Sequence, residues 1–145
     1  MKPELIKRLN EFLAQNPTLK GKPASEEEIK NAESKLGVKI HDDYKEFIQL
    51  FGGAYAGLAI HAFSNGSSIG NETVIELTTR SRELFNNNNV FPEINQCYVI
   101  ADDGSGNPIA ISANEEILLF DYDTEEKKVL SESFEKLIED NFSEW

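Results

Sequence analysis

The segment from Ser25 to Gly53 constrains the fold more than any other, because two helix starts and two helix stops follow one another there. Ser25 and Glu28 have the spacing of a capping box, in which each side chain accepts the other residue's backbone amide. Apolar residues then recur at helical spacing up to Leu36, and Gly37 can take the left-handed conformation that ends a helix. The sequence therefore predicts an amphipathic helix between Ser25 and Gly37.

A second helix follows after a short apolar link from Val38 to Ile40. Asp42 is its predicted cap, because an aspartate side chain can accept a free backbone amide at a helix start. The apolar residues of this helix share one face: Tyr44, Phe47, Ile48 and Phe51. The pair Gly52-Gly53 then ends it, which completes a unit of helix, tight link and helix.

Apolar spacing places three further helices. It predicts a first helix from Pro3 to Gln15, a helix that begins at Glu72, and a closing helix capped by Ser131 or Ser133. Several β-branched residues after Glu72 would also suit a strand, but the recurrence of apolar residues up to Phe85 favours a helix.

Short apolar runs separated by polar turns predict the strands. They are Tyr55–Phe63, Gln96–Ala101, Pro108–Ser112, Ile117–Asp121 and an edge strand at Val129-Leu130. The second, third and fourth of these runs have the rhythm of an antiparallel meander, to which Val129-Leu130 would add an edge. We therefore predict an α+β fold, with residues 1–145 as one domain and an antiparallel sheet of about four to six strands flanked by helices.

Three parts of this pattern resemble the SUKH superfamily, which includes yeast cell-wall-synthesis regulators of the Smi/Knr type. The first is the order Glu33, Leu36-Gly37-Val38, Ile40, Asp43-Tyr44, Phe47-Ile48 and Gly52-Gly53; the others are the strand-turn-strand element 98–111 and the closing segment 133–138. The family usually has proline at the position of His41 and asparagine at the position of Phe51. The resemblance implies a SUKH-like fold across the chain.

Acidic residues are concentrated in the last part of the chain. Residues 1–82 contain eleven Lys and Arg and eleven Asp and Glu, whereas residues 83–145 contain three and fifteen, so the net charge of −12 arises in the second segment. A surface of this kind repels nucleic acid and anionic lipid, and it attracts basic partners. We therefore expect no direct binding to nucleic acid.

The sequence indicates a cytoplasmic protein without a membrane span. No apolar run approaches the roughly 20 residues of a membrane helix, and the amino-terminal residues mix charge with apolar side chains, unlike a secretory signal. The single cysteine, Cys97, adjoins an apolar strand and is expected to be buried and inert.

No local motif supports a metal site, a cofactor or catalysis. The loop from Asp102 to Asn107 lacks the glycine and glutamate of a calcium loop and the lysine of a phosphate-binding loop, so a hairpin turn is expected. His41 and His61 have no partner at zinc-ligand spacing. We therefore expect no metal, no cofactor and no enzymatic activity.

The resemblance implies a protein-binding function. Many bacterial SUKH members are immunity proteins that bind and neutralise a cognate polymorphic toxin, often a nuclease whose substrate groove is basic. The candidate contact residues form an acidic face: Asp102, Asp103, Glu115, Glu116, Asp121, Tyr122, Asp123, Glu125 and Glu126. Strand alternation places Phe120 and Tyr122 on one face, and Asp121 and Asp123 on the other. A regulatory adaptor and an enzyme acting through paired carboxylates are the alternatives, and the oligomeric state stays open.

Overall fold

A computed structural model describes residues 1–142, and these form five α-helices and six β-strands in an α+β arrangement. The helices are α1 (Pro3–Gln15), α2 (Glu26–Leu36), α3 (Asp42–Phe51), α4 (Val74–Asn87) and α5 (Phe134–Phe142). The strands are β1 (Ala54–Tyr55), β2 (Ala59–Ile60), β3 (Tyr98–Asp102), β4 (Pro108–Ile111), β5 (Ile117–Asp121) and β6 (Glu126–Ser131). None of the helices within residues 1–142 is long and apolar enough to cross a membrane.

The four strands β3 to β6 form an antiparallel meander in sequence order, which contains the three predicted meander strands and the predicted edge strand. The strand predicted across residues 55–63 is instead divided into β1 and β2, which pair with each other as a separate two-stranded sheet. The division occurs because Gly57 has a φ of +86° and the Ala56 amide donates to the Leu58 carbonyl at 3.0 Å, so the chain reverses direction there. Glycine adopts this backbone conformation without a Cβ clash.

Both faces of the four-stranded sheet are covered along β3, β4 and β5. Ile109 and Ile111 of β4 face the main core formed with α1, α2, α3 and α5, whereas Ala110 between them faces a second core beneath α4. Leu118 and Phe120 of β5 join Ala110 in the second core. Strands covered on both faces show nearly continuous apolar sequence, which explains the apolar runs in the second half of the chain.

The helix α2 begins and ends as the sequence predicts. The Ser25 hydroxyl accepts from the Glu28 amide at 3.1 Å, and the Glu28 carboxylate accepts from the Ser25 amide at 3.0 Å. Gly37 ends α2 with a φ of +65°. A second capping box, between Thr73 and Glu76, opens α4 and confirms the helix over the alternative strand.

The predicted cap of α3 is wrong by one residue. Asp42 is the first residue of the helix, and His41 precedes it in an extended conformation without a side-chain cap bond. The His41 ring is engaged elsewhere, because its Nδ1 lies 2.8 Å from the Tyr98 hydroxyl and its Nε2 lies 3.1 Å from the Ala113 carbonyl oxygen. The backbone amide of His41 also donates to the Tyr98 hydroxyl, at 3.0 Å. The start of α3 is therefore fixed by contacts with the sheet.

The two edges of the four-stranded sheet differ. Along β3, the His61 amide donates to the Ile100 carbonyl at 2.8 Å, and the buried Thr78 hydroxyl accepts from the Val99 amide at 2.8 Å. These contacts cover that edge. Within residues 1–142, β6 has no strand beyond it, and its residues 126–130 are exposed. Two lysines on β6 add the charge that commonly discourages edge-to-edge association.

Candidate functional site

The meander separates the nine predicted contact residues into two groups. In an antiparallel meander, alternate turns lie at the same end of the sheet, so the β3–β4 and β5–β6 turns lie together and the β4–β5 turn lies opposite. Glu115 and Glu116 belong to the β4–β5 turn. The other seven residues form what we call the acidic end: Asp102, Asp103, Asp121, Tyr122, Asp123, Glu125 and Glu126.

Two aspartates hold the β3–β4 turn in shape. Asp102 Oδ1 accepts from the Gly104 amide at 2.7 Å. Asp103 Oδ1 accepts from the Ser105 and Asn107 amides at 2.8 and 3.1 Å, and its Oδ2 accepts from Asn107 Nδ2 at 2.9 Å. The hydrogen bonds from the Asn107 side chain and then from the Ser105 backbone lower the pKa of Asp103 below its ordinary value. The loop is thus the predicted hairpin turn.

The β5–β6 turn divides its acidic residues between structure and surface. Asp121 Oδ1 accepts from the amides of Asp123 and Thr124 at 3.1 and 3.2 Å, so it stabilises the turn. Glu125 has a φ of +55°. Among the contacts within residues 1–142, no side-chain hydrogen bond or ion pair involves the carboxylates of Asp123, Glu125 or Glu126, and all three are exposed. These three carboxylates are therefore available to a partner.

Tyr122 connects the two turns to the second core. Its amide donates to Asn107 Oδ1 at 3.2 Å, and its ring stacks on Phe85 of α4 with centroids 6.0 Å apart. Phe120 lies in the same core as Tyr122, which agrees with the face predicted for the two aromatic residues. The acidic end is therefore joined to α4.

An open cavity of about 450 Å³, which we call the α4 groove, lies between α4 and the acidic end. Its lining is largely apolar and includes Leu77, Leu84 and Tyr122, while Asp102 and Asp123 contribute carboxylates. Leu84 is 44% exposed, although most large apolar side chains of α4 are buried. The groove thus combines solvent-accessible apolar surface with negative charge.

The sequence did not indicate the α4 side of this groove. Leu84 precedes the β5–β6 turn by nearly forty residues and carries no motif of its own. Its position in the helical pattern gives little indication that it is exposed, since the neighbouring apolar residue Phe85 is fully buried. The role of Leu84 becomes visible only in the tertiary structure, where the sheet brings Tyr122 against α4.

The reactive side chains lie apart from the groove. Cys97 is 1% exposed, and burial raises the pKa of its thiol to about 11, so it is mostly protonated at neutral pH. His61 Nδ1 lies 2.7 Å from the Glu72 carbonyl oxygen, and both ring nitrogens of His41 have partners. In the described part of the chain, no group of three or more His, Cys, Asp or Glu side chains could hold a metal ion.

We expect the carboxyl group of Asp103 to titrate below the ordinary aspartate value of about 3.9. Because the pKa of Asp103 is lower in the folded protein, its ionised carboxylate stabilises the fold at pH values above the unfolded-state pKa. This contribution is lost as the pH falls through the folded-state pKa. NMR titration of the side-chain carboxyl carbons measures the effect directly. The Asn107→Ala variant should raise the Asp103 pKa, and an unchanged pKa would show that the Asn107 side chain does not stabilise the carboxylate.

The family comparison agrees with the resemblance seen in the sequence. The family model described as the SMI1 / KNR4 family (SUKH-1) matches residues 23–140, which include α2, α3, the whole meander and most of α5. None of the curated proteins compared with the chain matches it. Because the family match spans most of the chain and the observed α+β fold agrees with it, this protein belongs to the SMI1 / KNR4 family (SUKH-1).

Proposed function

We propose that this protein is an immunity protein, which acts by binding and not by catalysis, and that it neutralises a cognate basic toxin through its acidic end. The observation that carries the proposal is the placement of exposed carboxylates beside an accessible apolar groove. Protein interfaces commonly combine an apolar centre with a polar rim. Family membership supports the choice of a toxin as the partner.

Charge supports a nuclease toxin in particular. A nuclease must attract phosphate groups, so its substrate path is basic, and an acidic partner can occupy that path with electrostatically steered association. Asp123, Glu125 and Glu126 point to this interaction because no contact within the described residues neutralises them. The partner would therefore be captured faster at low salt than at high salt.

Catalysis has less support from the site. A general acid at neutral pH needs a carboxyl pKa raised toward 7, whereas the displacement at Asp103 is downward. Cys97 is buried and its thiol is protonated at neutral pH, so it is a poor nucleophile. These two observations favour binding over the enzymatic alternative.

The proposal is tested by charge reversal at the acidic end. The variant Asp123→Lys/Glu125→Lys should bind the toxin domain encoded by the adjacent open reading frame at least tenfold more weakly, because attraction becomes repulsion at the contact. The association rate constant and Kd would be measured by surface plasmon resonance at several salt concentrations. The wild-type association rate should fall as salt rises.

Glu115→Lys/Glu116→Lys is the matched control, since it changes the net charge equally at the opposite end of the sheet. Glu115, like Glu125, has a positive φ, so the two variants alter the backbone preferences similarly. We expect less than a threefold change in Kd, because exposed charges further apart than about 8 Å are largely screened at physiological salt. Equal loss in both variants would contradict the assignment of the surface, and absence of a complex with wild type would contradict toxin neutralisation.

A further inference from the structure

The α4 groove has one side formed by a helix and the other by the acidic end. Leu84 and Leu77 line it from α4, and Tyr122 lines it from the β5–β6 turn. A cavity of about 450 Å³ lies within the range of small-ligand sites and has room for one long side chain. A partner residue that entered the groove would cover the exposed surface of Leu84.

The positive charge that lines the groove is paired with a carboxylate, whereas the two negative charges have no cationic partner within residues 1–142. Arg80 contributes the cationic lining, but its guanidinium forms an ion pair with Glu72. The Asp102 carboxylate accepts one hydrogen bond, from the Gly104 amide, and the Asp123 carboxylate makes no hydrogen bond or ion pair within residues 1–142. The groove therefore presents net negative charge to an incoming group.

The chemistry of the groove selects its occupant. An anion would be repelled by Asp102 and Asp123, and a neutral apolar group would neutralise neither carboxylate. An arginine has a methylene stem that suits the apolar lining and a planar head with five donors, which can engage more than one carboxylate. The guanidinium also interacts favourably with an aromatic ring, as Tyr122 offers here.

We propose that the α4 groove is the receptor site for an arginine side chain of the partner protein, with the stem against Leu84 and Tyr122 and the guanidinium at Asp102 and Asp123. This inference rests on the proposed function, because it names the residue type by which a basic toxin would be anchored. A buried arginine in a central pocket is a common source of binding energy at protein interfaces. The remaining carboxylates of the acidic end would then lie at the rim and steer association.

Isotope-labelled protein titrated with N-acetyl-arginine amide tests the inference without the toxin. We expect saturable NMR shifts at the Tyr122 and Asn107 amides, with a Kd on the order of 1 mM for a probe of this size. N-acetyl-citrulline amide has nearly the same shape without the charge and should bind at least fivefold more weakly. Equal binding of the citrulline probe would overturn the proposal.

The variant Asp102→Asn/Asp123→Asn removes the charge while it preserves the turn, because an asparagine oxygen can still accept the Gly104 amide. The Kd of this variant for N-acetyl-arginine amide should be at least fivefold higher than that of the wild type. The control Glu115→Gln/Glu116→Gln should change the Kd less than twofold. Shifts that do not saturate, or that appear equally at Glu115 and Glu116, would overturn the assignment of the groove.

The titration and the toxin experiment test the two proposals separately. If the arginine probe does not bind but Asp123→Lys/Glu125→Lys still weakens the toxin complex, the inference is wrong and the proposed function stands. If the probe binds the groove but wild-type protein forms no toxin complex, the arginine site is supported and the choice of partner is wrong.

Discussion

Replacing Arg82 with alanine is expected to lower the free energy of unfolding by about 3 kcal/mol, as measured by urea denaturation followed by circular dichroism. The guanidinium donates to three backbone carbonyls, those of Leu36 at 2.8 Å, Cys97 at 3.0 Å and Ile94 at 3.2 Å. Hydrogen bonds from a charged donor contribute about 1.5–3 kcal/mol each. Arg82 is only partly buried, so water can replace some of these hydrogen bonds in the variant, and the expected loss is smaller than their sum.

The position of Arg82 explains why one side chain has so large an effect. Leu36 is the last residue of α2, so the positive charge lies where the helix dipole is negative. Ile94 and Cys97 lie in the connection that leads into β3. Burial lowers the pKa of Arg82, but arginine stays protonated in proteins, so the three bonds persist across the working pH range. Arg82 therefore joins α2, α4 and the entry to the sheet.

Two further variants separate this mechanism from a general loss of charge. Arg80→Ala removes an exposed arginine of the same helix that is paired with Glu72, and exposed ion pairs contribute up to about 1 kcal/mol. Arg82→Lys should recover only part of the loss, since one ammonium cannot reproduce the planar fork of donors. A loss of stability in Arg80→Ala equal to that of Arg82→Ala would contradict the role given to the three carbonyls.

Replacing Gly21 with alanine should also lower the free energy of unfolding by roughly 3 kcal/mol. An added Cβ would lie 2.0 Å from the Ser64 carbonyl oxygen and 2.8 Å from that of Gly53. Both obstacles are backbone atoms. The Gly21 amide already donates to the Phe51 carbonyl at 3.0 Å, so the backbone at Gly21 cannot move aside without losing that hydrogen bond. Thermal and urea denaturation would measure the loss.

Gly37→Ala provides the comparison for a glycine with open space. A Cβ at Gly37 meets nothing within 4 Å, but its φ of +65° is unfavourable for alanine. This strain costs about 1 kcal/mol. Equal losses at Gly21 and Gly37 would mean that backbone conformation, and not the close approach to Ser64, determines the effect at Gly21.

Local sequence signals predicted most elements of the fold. The bounds of α1 agree with the prediction, Ser25 and Gly37 delimit α2, and Ser133 caps α5 through a 3.1 Å hydrogen bond from the Lys136 amide. These features depend on residues a few positions apart, so the sequence contains the whole interaction. The cap of α3 was wrong because the His41 contacts that fix it come from the distant sheet.

The candidate site was predicted less completely for the same reason. The sequence identified the acidic residues of the turns but grouped Glu115 and Glu116 with the others, although the meander places them at the opposite end. It also contained no sign that the Leu84 side chain of α4 would border the groove. Both facts depend on contacts between residues far apart in the chain.

The sequence by itself determined most helix boundaries, the turns of the four-stranded sheet and the concentration of acidic charge after residue 82, because each arises from residue type and short-range spacing. The tertiary structure decided which carboxylates share one surface, because strand order alternates the turns between the two ends of the sheet. It also placed α4 over the second face, where Tyr122 stacks on Phe85 and forms the groove. Long-range packing therefore converts a general acidic character into a site with a particular shape.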